Sequence, residues 1–255
     1  MGLGKYITRE VKPTIAANLA DADAALTAND VVFDWTAFTL PNGVNRLLGV
    51  TVIAPPTNAG ASQDFPLDLL FATNTKGNGG VAAGAKPQSI GTISSAAAPT
   101  ASPYFNDLIG AVKLRADDFT DTEPRSIGIA DGTASENPVI FESYGTTPDD
   151  GQYTFYIAAT TPDTQSLQSL VNIVGGGSAI AAGSSATVTV EAQDARSFFA
   201  PGDVIHGAGN EILGTVSTIT NATTIVLTTP TVEELADDVR LYNINPIKLI
   251  LTFER

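Results

Sequence analysis

Apolar and polar residues alternate along much of this chain, and a period of two marks a strand buried on one face. The clearest case is 246–255, where Ile247, Leu249, Leu251 and Phe253 share one face and Lys248, Thr252 and Glu254 the other. Ile250 is the one residue out of step. Segment 153–159 offers a matching face in Tyr153, Phe155 and Ile157, so the pattern predicts these two stretches side by side in one sheet. Further strands are predicted at 31–38, with Val31, Phe33 and Trp35 inward, at 46–53, at 65–71, at 108–114, at 126–130 and at 139–144. Turns fall at Pro41-Asn42-Gly43, at the acidic stretch 117–124 and at 147–151. Residues 5–12 fit an arm or a first edge strand, and the Ala-rich stretch 16–28 supports no more than a helical turn. From 74 to 102 the chain is Gly, Ala, Ser, Asn and Pro with few large apolar side chains, which predicts a long surface loop or an extended arm.

Texture changes after Thr161 and changes back near Asn245. In between, short apolar runs at 186–191, 203–206, 211–219 and 224–228 are separated by Pro201-Gly202, residues 207–210 and Asn221-Ala222. Such spacing suits a small, strongly bent barrel of four or five strands. Phe198-Phe199 would seal one of its ends, and 232–239 would add one acidic helical turn. The expected fold is therefore all-β. It has a discontinuous main domain (1–162 plus 245–255), an antiparallel β-sandwich or barrel-like body, with a small β-barrel module inserted at 166–244.

Charge and composition narrow the function. The chain has 255 residues, 27 of them acidic and 13 basic, for a formal net charge of −14. That argues against nucleic-acid backbones and anionic membranes, both of which need clustered Lys and Arg. With no Cys, disulfides, thiolate metal sites and Cys nucleophiles are excluded. The first residues lack the apolar core of a signal peptide, and no uncharged apolar run nears the roughly 18 residues of a membrane span.

Candidate chemistry is sparse. His206 is the only histidine, so a catalytic triad or a histidine metal site would have to use it. Its place where a strand runs into a turn predicts a strand-end side chain near solvent. The carboxylates Asp117, Asp118, Asp121 and Glu123 come nearest to a calcium loop but lack its Gly and its spacing. Asp149/Asp150, Glu233/Glu234 and Asp237/Asp238 are adjacent pairs, whose side chains point apart rather than across a sugar. The glycines of 77–84 lack the Gly-Lys-Ser/Thr of a phosphate loop, since Lys86 precedes Pro87. Asn221-Ala222-Thr223 fits a glycosylation sequon and, without a signal peptide, carries little meaning. The aromatics Phe33, Trp35, Phe38, Phe65, Phe71, Phe155 and Phe253 read as core. No catalytic, cofactor-binding or metal-binding residue is assigned.

The order of segments says more than any motif. The runs NRLLGVTVIA, FPLDLLFATN, FNDLIGAVKLRADDF, SIGIADG, PVIFESYG, YTFYIAATTP and IKLILTF occur in that sequence. This order resembles a group of small virion structural proteins of tailed bacteriophages, over roughly 5–162 and 245–255. The stretch from Phe199 to Pro230 is similar to small β-modules that recur in phage structural proteins, whereas shorter members of the group join the last two strands directly. The resemblance implies a non-enzymatic decoration or cement protein on the outer capsid surface of the virion. Its implied partners are the major capsid protein and further copies of itself, as a trimer or dimer, with no nucleic acid, membrane or cofactor. A tail, baseplate or fibre component that contacts host glycans is the alternative. A secreted carbohydrate-active enzyme or its binding module would need a converging acid pair, which the spacing does not supply.

Overall fold

The structure, a computed structural model, describes residues 5–15, 25–26, 28–56, 61–73, 108–132, 138–143, 152–166, 172–174, 179–191, 194–207, 212–236 and 239–255. The glycine-rich stretch 74–102, the turn 147–151 and most of 16–28 lie outside the described residues. Strands of the first part are Tyr6–Val11 (β1), Ala25–Leu26 (β2), Val31–Pro41 (β3), Gly43–Ile53 (β4), Leu67–Thr73 (β5), Leu108–Leu114 (β6), Phe119–Asp121 (β7), Ser126–Asp131 (β8), Ile140–Ser143 (β9) and Gln152–Thr160 (β10). They are followed by Gln165–Ser166 (β11), Asn172–Val174 (β12), Thr187–Glu191 (β13), Val204–His206 (β14), Ile212–Asn221 (β15), Thr224–Leu227 (β16), Arg240–Asn243 (β17) and Lys248–Glu254 (β18). The fold is all-β and its strand pairs are antiparallel.

Two sheets make a sandwich. One runs β1-β18-β4-β8-β7, with β9 pairing the start of β4; the other runs β3-β10-β5-β6. Strand β18 lies between β1 and β4, pairing Leu251 with Arg9 and with Val50. Strand β10 lies between β3 and β5. The expected side-by-side pairing of 153–159 with 246–255 is therefore not formed. The two strands belong to opposite sheets and send Phe155, Ile157, Leu251 and Phe253 into one shared core. A face of aromatic and branched residues reads the same whether its partner is beside it or across from it.

Strand β3 also departs from simple alternation. Against β10 its register slips twice, between Thr36 and Phe33 and again between Phe33 and Val31, each time with one extra residue on β3. Bulges of this kind turn side chains to the other face. Phe33 and Phe38 consequently enter the main core, while Val31 and Trp35 join Ala72, Tyr156 and Ala158 in a smaller buried cluster. Of the three residues expected to face inward at 31–35, only Phe33 reaches the main core.

At the rim of the first sheet, Phe119 of β7 pairs with Gly128 of β8 and lays its ring over the glycine. A Cβ on Gly128 would sit 2.6 Å from that ring. Gly128→Ala is expected to push Phe119 off the core edge and lower stability by about 1–3 kcal/mol, the usual range for overpacking. An unchanged thermal midpoint would show that the ring is not held there.

The strands between residues 172 and 243 close into a barrel in the order β12-β13-β16-β15-β14-β17, with β17 returning to β12. There are six strands, not four or five; the three-residue β12 and four-residue β17 carry too little pattern to be read from sequence. Val188, Val190, Ile205, Leu213, Val216, Ile225, Leu227 and Leu241 fill it. Phe198 and Phe199, on and just after a helical turn Ala195–Phe198, are buried in the same cluster. The helical turn expected at 232–239 is absent among the described residues there; instead Leu235 bridges Ile180 through paired backbone hydrogen bonds.

Barrel and sandwich meet along β17. Side chains on a strand alternate, so Leu241 points into the barrel while Tyr242 packs with the sandwich core. Ile244 also packs against that core, and its carbonyl accepts a 2.8 Å hydrogen bond from Ile15 N–H.

Candidate functional site

His206, expected near solvent, is only 3% exposed. Its ring stacks on Tyr242 with centroids 5.8 Å apart, and neither ring nitrogen has a hydrogen-bond partner among the described residues. The acidic turn stays open: Asp117, Asp118, Asp121 and Glu123 are all exposed. Asp118 Oδ2 accepts a hydrogen bond from Arg115 N–H at 2.7 Å, which ties it to the start of the turn. Glu233 and Glu234 are exposed; Asp149/Asp150, Asp237/Asp238 and the glycines of 77–84 lie outside the described residues. No group of three or more His, Asp or Glu side chains able to hold a metal occurs among the described residues. Asn221 sits at the β15–β16 turn, where its Oδ1 accepts from Thr223 N–H at 2.8 Å.

Two arrangements that the sequence did not single out stand out instead. The first is the outer face of the six-stranded sheet. Cross-strand rows there run Glu10, Ile250, Thr51, Ile129 and, two rows along, Tyr6, Glu254, Arg46, Ile140. Ile129 is 63% and Tyr6 68% exposed, and Val44 and Ile140 are also open on this face. Ile250, the residue out of step in the last strand, belongs to this face. The cations here are matched on the sheet itself: Lys248 Nζ lies 2.6 Å from Glu10 Oε2, and Arg46 Nη1 lies 4.0 Å from Glu254 Oε2. Such surface pairs add little stability. Their effect is to soften the charge of one face in a strongly acidic protein.

The second arrangement lies where the barrel meets the sandwich. Asp203, 5% exposed, follows the Pro201-Gly202 turn. Its Oδ1 accepts from Lys12 Nζ at 3.1 Å, and its Oδ2 accepts from Asn243 Nδ2 and from Ala200 N–H, each at 2.8 Å. Asn243, 2% exposed, in turn accepts at Oδ1 from Asn245 N–H at 2.7 Å. Asn245 Nδ2 reaches back to Pro13 O and Thr14 Oγ1 at 3.0 and 2.9 Å. Nearby, Arg125 Nε donates to Ser197 O at 3.2 Å. Burial pushes the Arg125 pKa down, and the negative charge of Asp203 opposes that shift.

No family model matches the chain, and no significant match emerges among curated proteins or solved structures.

Proposed function

We propose that this chain is a non-enzymatic virion structural protein that binds the outer capsid shell and reinforces it, a decoration or cement protein. The observation that carries the reading is the outer face of the six-stranded sheet, with its exposed Ile129, Ile140, Val44 and Tyr6. Isolated exposed aliphatics are ordinary, but several on one sheet face form the apolar centre of a protein contact. The order of strand segments, which resembles phage virion proteins, supplies the partner: the major capsid protein. Copies bound at symmetric shell positions would associate as a trimer or dimer. The acidic remainder of the surface keeps copies from clumping elsewhere.

A tail or fibre protein that grips glycans is less well supported. Sugar binding favours exposed aromatic rings, and among the exposed large apolar residues described only Tyr6 is aromatic.

The test is binding to capsids that lack the protein. Ile129→Glu should leave the thermal midpoint unchanged, because the side chain is in solvent. It should weaken capsid binding about tenfold or more, since burying an unpaired carboxylate at a contact costs over about 1.4 kcal/mol. Undiminished binding by the variant would remove this face from the contact, and failure of the wild-type protein to bind capsids would remove the function.

A further inference from the structure

We propose that Lys12 and Asn243 form an intramolecular isopeptide bond, with Asp203 as the proton-transfer group. This inference rests on the junction geometry and is independent of the capsid reading. The two oxygens of one buried carboxylate hold the two reactants. Lys12 Nζ donates to Oδ1 at 3.1 Å and Asn243 Nδ2 donates to Oδ2 at 2.8 Å. The Asn243 carbonyl oxygen already accepts the Asn245 N–H at 2.7 Å. A nucleophile, a base beside it, a leaving amine beside the same base and a backbone donor on the carbonyl are thus together in one place. Holding the reactants in one site replaces the collision that this otherwise slow reaction would need.

The step balances without any redox partner. A proton passes from the Lys12 ammonium to Asp203 Oδ1 and leaves a lone pair on Nζ. That pair attacks Asn243 Cγ, and the carbonyl π electrons move to Oδ1, where the Asn245 N–H stabilises the negative charge. Asp203, now protonated, gives its proton to Nδ2. The carbonyl re-forms, the Cγ–Nδ2 bond breaks and ammonia departs. Asp203 takes the extra proton from the new amide nitrogen and passes it to the ammonia, which leaves as ammonium. The product is one Nζ–Cγ amide that links the exit of β1 to the end of β17 and locks barrel to sandwich. A chain without Cys would gain by this route a covalent tie that no reductant can open.

The experiment is the mass of the purified full-length chain under denaturing conditions, with peptide mapping. The expected result is a wild-type chain lighter by one ammonia and a branched peptide joining Lys12 to Asn243. Lys12→Arg keeps the cation but supplies no attacking amine, and should show its full sequence mass. Asp203→Ala should do the same if it folds; should it not, Lys12→Arg alone decides. A wild-type chain that keeps its full mass after days at neutral pH overturns the proposal. So does loss of one water with the branch at Asp203, or a mass loss that persists in Lys12→Arg.

Discussion

Phe141→Ala should lower stability by about 3–5 kcal/mol, the loss expected when a fully buried Phe is truncated in a core that cannot close up. Strand β9 is only four residues long, and its one buried side chain is placed at the centre of the aromatic core. The Phe141 ring lies 5.1 Å from Phe155, 5.3 Å from Phe253, 5.4 Å from Phe71 and 5.8 Å from Phe38, each contact edge-to-face. Those neighbours come from both sheets, so one truncation opens a void that touches every wall. Rings on strands already fixed by their ladders cannot swing in to fill it. Edge-to-face pairs also carry about 0.5–1.5 kcal/mol each beyond buried area. Denaturant unfolding at constant slope gives the number; a loss under about 1 kcal/mol would mean that the core repacks freely.

Relative to Lys12→Arg, which keeps the cation but cannot form the tie, Asp203→Ala should cost about 2–4 kcal/mol, somewhat below the 3–5 kcal/mol typical of a broken, fully buried pair. The discount reflects Lys12, whose side chain is 36% exposed and can turn to water. Asn243 Nδ2 and Ala200 N–H cannot, and an unsatisfied buried donor bears the full loss of its solvation. Arg125 adds to the effect, because the carboxylate that opposed its burial is gone. Measured against the same Lys12→Arg reference, Lys12→Ala should by contrast cost only about 0–1 kcal/mol, as for other exposed partners. That asymmetry is the check. Equal losses from the two variants would mean that the ion pair, and not the buried hydrogen bonds, holds the junction.

Much of the strand content is legible in the sequence, because the longer strands bury one face and record it at period two, as β13 and β18 do. Pairing is less legible. Phe155 and Phe253 point at a common core, and nothing local distinguishes two strands in one sheet from two strands facing each other. The bulges in β3 are equally hidden, since an extra residue is absorbed without a Gly or Pro to mark it. Ile250 did carry a signal: an apolar residue on the polar side of the strand marks the outer face on which the proposed contact is placed. Asp203 carried none. It follows a Pro-Gly turn, where an acid is usually solvated, and its partners Lys12 and Asn243 are 191 and 40 positions away.

The place of β18 has a consequence for how the chain is made. It sits inside the six-stranded sheet, between β1 and β4, although it is synthesised after every other strand described. While translation proceeds from Ile53 to Lys248, the facing ladders of β1 and β4 have no neighbour, whereas the barrel can assemble from near-contiguous hairpins such as β15–β16. A nascent chain therefore carries a finished barrel beside a sheet with a missing middle, and strands left open in this way invite pairing with another copy. Faster translation or a bound chaperone over that interval should favour soluble product.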